Sequence, residues 1–425
     1  MTMKIINMIP SKSYAHRAYI CNALSGQRSE IVCEATSLDI EATKTCLQRI
    51  LEVVDKDSLG RADGAFRTFA SQQTRECDLP CGESGSTMRF LLPVVGALGI
   101  KANFLPEGRL PARPMSPLRE ELCGHGMSIS PQGQVPFRTR GQLRPGNYVL
   151  PGNVSSQFIS GLLFALPLLN GNSTLTITGK MESESYVGMT LEMLAKFNVT
   201  IERTPRGFLI RGNQSFKGPD KVIIEGDWSN AAFWAVCGAI AGEDILEPGE
   251  AMECNNLNLE SLQGDKAIAN IVSDFGASVT FIQDGIRVGR GQLRAIDIDA
   301  RNIPDLVPPL ALVAAVSSGT TRIYNASRLR LKESDRLQAV WETLNNLGAD
   351  VTQTEDGLII TGKSRLAGGM VDSFGDHRIA MMAAIASTVC DGSVTIKGAD
   401  AVNKSYPGFY KELEKLNLGA RLILE

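Results

Sequence analysis

The hydrophobic and polar positions of the chain form a pattern that occurs six times. In each repeat a small or polar turn leads into an apolar, often alanine-rich segment, which is followed by a glycine turn and a β-like run. The first residues of successive turns lie 71 to 77 residues apart. The turns begin at Ser11, Ser84, Ser155, Asp227, Pro304 and Gly375. This near-equal spacing predicts six similar structural units.

Two kinds of helix are predicted within each unit. The first kind is apolar on all sides, as in Asn230–Ala241 and Ile379–Thr388, and a helix of that composition must be buried. The second kind is amphipathic, with apolar residues three and four apart over Leu337–Leu347 and Ile268–Phe275. Glycine follows several of the second helices, as at Gly276, which is typical of a helix C-terminus.

Short β-like runs complete each unit. They follow the buried helices and include Leu175–Thr178, Thr321–Tyr324 and Val394–Lys397. In three units a two-residue turn then separates two alternating runs and predicts a β-hairpin. These turns are Arg206-Gly207, Asp284-Gly285 and Asp356-Gly357.

The order of these elements predicts an α/β fold of two lobes, each with three units, buried helices and mixed sheets. We expect the N-terminal lobe to cover residues 11–225. The C-terminal lobe is expected to cover residues 226–425 plus 1–10, because Met1–Ile9 can add an extended strand to it. The hinge is expected near residues 224–227.

The composition narrows the possible functions. The chain has 425 residues, of which 43% are hydrophobic and 21% charged, and this argues against disorder. Its net charge of −3 argues against nucleic-acid binding through bulk positive charge. The longest apolar runs fall short of the ~20 residues that span a bilayer, and the N-terminus lacks the pattern of a signal peptide. Nine cysteines without a CxxC pair are typical of reduced thiols, so we expect a cytoplasmic protein.

The turns that open the buried helices are candidate anion sites. A helix N-terminus carries free N–H groups and a partial positive charge, so several such ends in one cleft would attract anions. The side chains found there suit phosphate or carboxylate. They are Lys12, Ser13, Arg17, Arg89, Ser155, Ser156, Gln157, His377 and Arg378. The alternative is that the Ser and Asp residues are ordinary N-caps.

Two further segments add acidic residues to this set. Asp305 precedes the apolar segment Leu306–Val316, where a buried edge would make it a proton acceptor, and the alternative is again an N-cap. Lys332–Arg336 is predicted to open an amphipathic helix, and cations in a first turn oppose the helix dipole, which favours an anionic ligand. His377 can equally be a structural histidine.

One motif is a false match. Gly357–Ser364 fits the P-loop pattern letter for letter. Its inner residues Leu358–Thr361 are nevertheless predicted as a hairpin strand, and no helix start follows Ser364, so we do not predict a nucleotide site. With only three histidines in the chain, a histidine-rich metal site is not predicted either.

Eight motifs that follow one another along nearly the whole chain are more specific. They are SKSxxxR at Ser11–Arg17, GxSGSTxR at Gly82–Arg89, ARPM at Ala112–Met115, SSQF at Ser155–Phe158, IPD at Ile303–Asp305, LKESDR at Leu331–Arg336, GDHR at Gly375–Arg378 and KSYPGF at Lys404–Phe409. Together they resemble the 5-enolpyruvylshikimate-3-phosphate synthases, a family of enolpyruvyl transferases. The resemblance implies a two-lobed inside-out α/β barrel in which each lobe has threefold pseudosymmetry.

The resemblance also implies a reaction. This family, the 3-phosphoshikimate 1-carboxyvinyltransferases, transfers the carboxyvinyl group of phosphoenolpyruvate to the 5-hydroxyl of shikimate 3-phosphate and releases phosphate, a step of chorismate and aromatic amino-acid biosynthesis. The residues that match the shikimate 3-phosphate side are Lys12, Ser13, Arg17, Ser155, Ser156, Gln157, Ser183, Tyr186, Asp305 and Lys332. Those that match the phosphoenolpyruvate side are Lys12, Gly85, Arg113, Gln157, Arg336, Arg378 and Lys404. We expect a monomer that uses no cofactor or metal and binds neither nucleic acid nor a membrane.

The implied mechanism is addition and elimination through a tetrahedral intermediate. Asp305 is the candidate base for the 5-hydroxyl, and Glu333 the candidate that protonates and later deprotonates the methyl carbon. The other catalytic candidates are Lys12, His377 and Lys404. Glyphosate competes with phosphoenolpyruvate in much of this family. Because Gly85 leaves room in that pocket, we expect the protein to be sensitive to it.

The sequence departs from the family at several positions. Pro10 stands where the family usually has glycine, Ala15-His16 where it has Ser-Asn, and Glu83 where Asn is common. Two alternatives stay open. One is a UDP-N-acetylglucosamine enolpyruvyl transferase, whose reactive cysteine would fall at Gly108, and the other is a non-catalytic sugar-phosphate binding protein of the same fold.

Overall fold

The computed structural model describes residues 4–26, 29–54, 76–241 and 251–425. The chain divides into two compact units. One unit is Lys12–Ile224, and the other is Glu225–Glu425 together with Met1–Ser11. Each unit has its own hydrophobic core, formed mainly by helices that sheets cover.

Twelve α-helices lie within the described residues and alternate between two kinds. The odd-numbered helices are almost wholly buried, whereas the even-numbered ones bury only one face. The helices are α1 Lys12–Leu24, α2 Leu38–Val53, α3 Gly85–Ala97, α4 Leu118–Gly124, α5 Ser156–Ala165, α6 Glu184–Lys196, α7 Trp228–Ile240, α8 Ile268–Phe275, α9 Val307–Ala315, α10 Arg336–Asn346, α11 His377–Ala386 and α12 Phe409–Leu416. The two predicted kinds of helix are therefore confirmed.

The strands form six sheets in the described part of the chain, three in each unit. The strands are β1 Lys4–Asn7, β2 Glu30–Val32, β3 Cys77–Gly82, β4 Ala102–Pro106, β5 Ser128–Ile129, β6 Phe137–Arg140, β7 Asn147–Pro151, β8 Ser173–Thr178, β9 Ile201–Thr204, β10 Gly207–Ile210, β11 Lys221–Ile223, β12 Met252–Asn255, β13 Ser278–Ile282, β14 Gly285–Gly289, β15 Asp297–Asp299, β16 Thr320–Tyr324, β17 Asp350–Gln353, β18 Leu358–Thr361, β19 Gly369–Asp372, β20 Val394–Lys397 and β21 Leu422–Leu424.

Four of the sheets share one plan, in which a parallel pair of strands continues into an antiparallel hairpin. Their strand orders are β3-β4-β6-β5, β7-β8-β10-β9, β1-β12-β14-β13 and β15-β16-β18-β17. The other two sheets are β11-β2 and β19-β20-β21, whose strands are all parallel. The three predicted hairpins are confirmed as β9–β10, β13–β14 and β17–β18. The fold is thus α/β with mixed sheets, as the sequence predicts.

The P-loop match is excluded by the local structure. Its inner residues form β18, which pairs antiparallel with β17 and β16. No helix follows Ser364; the chain runs into β19 at Gly369. A phosphate-binding loop between a strand and a helix is therefore absent from Gly357–Ser364.

Most of the predicted helix openings are N-caps. For Asp305 the N-cap alternative is excluded, and one detail of the prediction, the start of α10, is wrong. Ser84, Ser155, Asp227 and Asp376 each accept a backbone N–H at the start of a helix. Asp305 is not a cap, because it lies inside a 3-10 turn that precedes α9. Lys332 does not lie in the first turn of α10 either. That helix begins only at Arg336, with Asp335 as its cap.

The N-terminal strand β1 joins the unit of the C-terminal half. It pairs in parallel with β12. Pro10 forms a bridge with Gly226, and the bonds beside it run from the Ser11 N–H to the Glu225 carbonyl (2.7 Å) and from the Asp227 N–H to the Ile9 carbonyl (2.9 Å). Pro10 has no N–H, but this connection uses the amides of its neighbours.

Within the described residues, no helix is both long and apolar enough to cross a membrane.

Candidate active site

Arg17 is a buried cation near the N-terminus of α1. It donates to the carbonyls of Ser13 (2.6 Å) and Tyr186 (2.8 Å). It also donates to Thr190 Oγ1 (2.8 Å), and its guanidinium lies 5.1 Å from the ring centre of Phe90. Burial lowers the pKa of Arg17 to about 10, so the group is still charged at neutral pH. These hydrogen bonds hold the Arg17 cation beside Ser13 and Tyr186, two of the predicted substrate residues.

Lys12, the first residue of α1, forms an ion pair with α2. Its Nζ lies 2.8 Å from Asp39 Oδ2, and both side chains are mostly buried. The N-cap of α2 is Ser37, whose hydroxyl accepts the Ile40 N–H. The cap places Asp39 in the first turn of α2, where a carboxylate is favourable to the helix dipole. The pair holds the N-terminal ends of α1 and α2 together.

Arg89 connects the N-terminal regions of α3 and α5. Its Nη1 donates to Gln157 Oε1 (2.7 Å), and its Nη2 donates to the carbonyl of Pro114 (3.2 Å). The amide of Gln157 then donates from Nε2 to Ser86 Oγ (2.9 Å). Arg89 was not among the predicted substrate residues, but it holds Gln157, which was.

Gly85 is the first residue of α3 and packs directly beneath two guanidinium groups. A Cβ added at Gly85 would lie 2.9 Å from Arg113 Nη1 and 3.3 Å from Arg89 Nη1. Arg113 is itself buried. Ser84 caps the helix by accepting the N–H of Thr87 (3.3 Å). Free backbone N–H groups and two arginines therefore surround one helix end, which is a strong anion-binding arrangement.

The start of α6 carries Ser183 and Tyr186. Ser183 adopts a left-handed conformation with φ of 54°, and it precedes the first residue of α6. The carbonyl of Tyr186 is held by Arg17. Ser155 caps α5, and Ser156 is its first residue. In the Lys12–Ile224 unit, the predicted residues thus gather at the N-termini of α1, α3, α5 and α6.

The other unit contains a cluster centred on Arg336, which is 1% exposed. Its Nε donates to Asp376 Oδ2 (2.9 Å). Its Nη1 donates to Asp305 Oδ1 and its Nη2 to Glu333 Oε2, each at 2.7 Å. These carboxylates raise the pKa of Arg336 in spite of its burial. Arg336 therefore aligns the two predicted proton carriers, Asp305 and Glu333, through two different nitrogens.

Three cations face Asp305. Besides Arg336, Lys332 Nζ lies 3.6 Å from Asp305 Oδ1 and Arg378 Nη2 lies 3.2 Å from Oδ2. Burial lowers the pKa of Lys332. The negative charge of Asp305 opposes this fall, and the positive charge of Arg336 adds to it. Lys404 donates from Nζ to the carbonyl of Gly375 (2.6 Å). Cations and carboxylates thus alternate over a small, mostly buried region.

Asp376 is the buried anchor of this cluster. It caps α11 by accepting the Arg378 N–H (3.0 Å), and it also accepts from Ser334 Oγ (3.0 Å) and from Arg336. His377, a predicted catalytic residue, is buried, and its Nδ1 lies 3.9 Å from Asp376 Oδ1. These contacts make Asp376 the common partner of a helix end, a serine and an arginine.

Asp265 adds a further buried carboxyl group that the sequence did not single out. The hydroxyl of Ser229, in the first turn of α7, donates to its Oδ2. Burial raises the pKa of Asp265 to about 6, and the negative charge of Asp305 acts in the same direction. Arg378 opposes this rise.

The residues that sequence reasoning missed are the hydrogen-bond and ion-pair partners of the predicted site residues. Asp39, Asp265 and Asp376 are examples, and Thr190 supports Arg17 in the same way. A signal was present for Asp376, because it stands inside the GDHR motif. Asp265 gave none, because its role depends on a contact with a helix 36 residues away in sequence.

The arrangement defines a class of protein before any comparison is made. Helix N-termini, buried arginines and serines can bind phosphates and carboxylates, and carboxylates held beside cations can move protons. The described residues contain no group of three or more His, Cys, Asp or Glu side chains placed to hold a metal ion. The class is an enzyme for anionic small molecules.

Comparison with known proteins identifies the family. The EPSP synthase family (3-phosphoshikimate 1-carboxyvinyltransferase) matches residues 2–413. Curated relatives include the 3-phosphoshikimate 1-carboxyvinyltransferases of Clostridium kluyveri and Clostridium acetobutylicum, each 42% identical over 97% of this chain and 94% of the relative. The chain therefore belongs to the EPSP synthase family, and the resemblance found in the motifs is confirmed.

Solved structures agree with this assignment. The EPSP synthase of Acinetobacter baumannii superposes with a TM-score of 0.75 at 25% identity, covering 97% of this chain and 95% of that chain. An enolpyruvyl transferase of Streptomyces tendae shares the fold with a TM-score of 0.71 at 16% identity, covering 97% of this chain and 94% of that chain. The matches do not favour the UDP-N-acetylglucosamine alternative or a non-catalytic role, since the relatives are named as 3-phosphoshikimate 1-carboxyvinyltransferases.

Proposed function

We propose that this protein transfers the carboxyvinyl group of phosphoenolpyruvate to the 5-hydroxyl of shikimate 3-phosphate, with release of phosphate. The observation that carries the proposal is the position of Arg336, which binds Asp305 and Glu333 through separate nitrogens. Addition and elimination need one group that removes a hydroxyl proton and another that serves the methylene carbon. One buried arginine fixes both candidates for these roles.

The proposed binding residues follow the geometry of the two units. Shikimate 3-phosphate is assigned to Lys12, Ser13, Arg17, Ser155, Ser156, Gln157, Ser183, Tyr186, Asp305 and Lys332. Phosphoenolpyruvate is assigned to Lys12, Gly85, Arg113, Gln157, Arg336, Arg378 and Lys404. Buried arginines and helix N-termini support both assignments, because they compensate the charge of substrates that lose their water shell. We also propose that residues 11–225, and 226–425 with 1–10, are the two lobes of the enzyme.

The proposed catalytic sequence has three proton transfers. Asp305 takes the proton of the 5-hydroxyl while Glu333 protonates the methylene carbon, which gives the tetrahedral intermediate. Glu333 then removes a proton from the methyl carbon as the C–O bond to phosphate breaks. Lys12 and Lys404 stabilise the charge that develops on the phosphate and carboxylate.

The role of His377 is separate from those of Asp305 and Glu333. Its imidazole is buried and faces Asp376, the cap of α11. We propose it as a further catalytic residue, beside the pair that Asp376 forms with Arg336. Proton transfer to substrate is assigned to Asp305 and Glu333.

The setting of the enzyme is part of the proposal. All nine cysteines are free thiols, which fits a reducing compartment such as the cytoplasm. We further propose that the protein acts as a monomer on its two small-molecule substrates. Gel filtration with light scattering measures this state, and a stable dimer would contradict it.

The experiment that tests the function measures phosphate release from phosphoenolpyruvate. Shikimate 3-phosphate and UDP-N-acetylglucosamine are offered separately as acceptors. Release with shikimate 3-phosphate alone is expected. Release with the UDP-sugar would support the sister activity. Release with neither, while shikimate 3-phosphate still binds, would indicate a non-catalytic protein.

A further inference from the structure

A buried chain of side chains connects His16 to the N-terminus of α3. The imidazole of His16, on α1, is 2% exposed, and its Nδ1 lies 2.7 Å from Thr43 Oγ1 on α2. Thr43 Oγ1 lies 2.5 Å from Thr87 Oγ1 on α3. Thr87 Oγ1 donates to the hydroxyl of Ser84, the N-cap of α3 (2.7 Å). The chain thus crosses three helices and ends at the turn that carries Gly85.

The hydrogen bonds along this chain all run in one direction, from His16 as the first donor to Ser84 as the last acceptor. Each threonine hydroxyl has a single proton to donate. Because Thr87 donates to Ser84, it accepts from Thr43, and Thr43 in turn accepts from His16. The imidazole must therefore carry its proton on Nδ1.

The surroundings of the imidazole agree with that protonation state. Burial, together with the positive charges of Lys12 and Arg17, lowers the pKa of His16 well below its usual value, so the ring is neutral. Its Nε2 is buried, and no described group forms a hydrogen bond with it. The contact with Thr43 is the hydrogen bond through which the ring acts on its neighbours.

We propose that His16 is a positioning residue for phosphoenolpyruvate, which acts by fixing the N-terminal turn of α3 through Thr43, Thr87 and Ser84. This inference rests on the proposed function. The turn needs close control, because Gly85 leaves so little space below Arg113 that an added Cβ would lie 2.9 Å from its Nη1. Small displacements of the turn would therefore alter the anion site. Gln157, which is assigned to both substrates, contacts the α3 turn through Ser86 and Arg89. The other shikimate 3-phosphate residues on α5 and α6 do not belong to this chain of hydrogen bonds.

The test compares variants at both ends of the first hydrogen bond. His16→Leu removes the donor and Thr43→Val removes the acceptor, and each is expected to raise the KM for phosphoenolpyruvate about five- to tenfold. The KM for shikimate 3-phosphate should stay within about twofold. Because both changes break one chain, the double variant should resemble either single variant rather than the product of the two.

Two further variants separate positioning from general damage. His16→Asn places an amide N–H near the position of Nδ1 and is expected to restore most of the affinity for phosphoenolpyruvate. His125→Asn is the matched control, because His125 lies in the same unit, stacked on Tyr148 and outside this chain. It should leave both KM values unchanged. If His16→Leu fails to fold, Thr43→Val carries the test alone.

Several outcomes would overturn the inference. They are an equal rise of both KM values, independent effects of the two single changes, or no change in the KM for phosphoenolpyruvate. If the wild-type protein releases no phosphate, the proposed function fails. The inference is then tested by the rise in Tm that phosphoenolpyruvate produces. That rise should be present in wild type and His16→Asn and reduced in His16→Leu and Thr43→Val, and equal rises in all four would overturn it.

Discussion

Single residues in this site act mainly through the partners that hold them. Arg336 is the clearest example, because three of its nitrogens bind three different carboxylates in a buried setting. Such an arginine cannot be replaced by lysine, whose ammonium lacks the planar fork that reaches several acceptors at once. The chemistry proposed for Asp305 and Glu333 therefore depends on Arg336, which need not itself transfer a proton.

Glu333→Gln tests the assignment of the proton carrier. We expect turnover to fall by more than tenfold, equivalent to more than about 1.4 kcal/mol, because an amide cannot protonate the methylene carbon. The measurement is kcat for phosphate release, together with exchange of the methylene hydrogens with solvent. Glu355→Gln, at an exposed residue of the same unit, is the control and should have no effect. Turnover within tenfold of wild type would remove Glu333 from this role.

Gly85→Ala tests the space below the two arginines. The new Cβ would press against Arg113 and Arg89, so the KM for phosphoenolpyruvate should rise by about tenfold, or ~1.4 kcal/mol. Inhibition by glyphosate should weaken in parallel, because we expect it to occupy the same space. Gly124→Ala is the matched control, because a Cβ there would meet nothing within 4 Å. An unchanged KM with unchanged inhibition would show that the ligand binds elsewhere.

At the level of residues, the motifs predicted candidate side chains but not how these side chains pair. Arg17 and Arg336 could be named because Arg next to a helix start suits an anion. Their partners Thr190 and Asp376 lie 173 and 40 residues away in sequence. Contacts at such separations follow from tertiary packing, which local sequence patterns do not encode.

Helix ends are the elements on which this site is built, and α11 shows what they contribute to stability. Asp376 is buried, caps that helix and accepts from Arg336. Asp376→Ala would leave the buried arginine without its main partner, and we expect the free energy of unfolding to fall by about 3–5 kcal/mol. Asp391→Ala breaks an exposed pair with Arg365 and should lower it by less than about 1 kcal/mol. Urea denaturation measures both, and equal losses would contradict the argument.

The predictions for whole elements were accurate where hydrophobic periodicity is strong. The buried α7 and α11 and the amphipathic α10 follow directly from their patterns. The start of α10 was misjudged because Lys332–Asp335 carry charged residues typical of a first helical turn, although they lie between the 3-10 turn Ser327–Leu331 and the first helical residue Arg336.

At the scale of the whole molecule, the six-fold repeat in sequence has a counterpart in six sheets among the described residues, three in each compact unit. The repeat could be recognised because each unit must bury one helix completely, which leaves a distinct apolar segment every 71 to 77 residues. The strand order within each sheet could not be derived, because parallel pairs such as β7–β8 join segments on either side of a helix.

The stability of the whole molecule should carry a pH dependence that originates in Asp265. Burial raises the pKa of this carboxyl to about 6, above the range of an exposed aspartate. Between about pH 4 and 6 the folded state therefore binds more protons than the unfolded state, so the free energy of unfolding falls as pH rises through this window.

Asp265→Asn cannot titrate, and its stability relative to wild type should increase by roughly 1–3 kcal/mol from pH 4 to 7. Urea denaturation followed by the fluorescence of the buried Trp228 and Trp234 measures the difference at each pH. A difference between Asp265→Asn and wild type that does not change with pH would show that folding does not raise the pKa of Asp265.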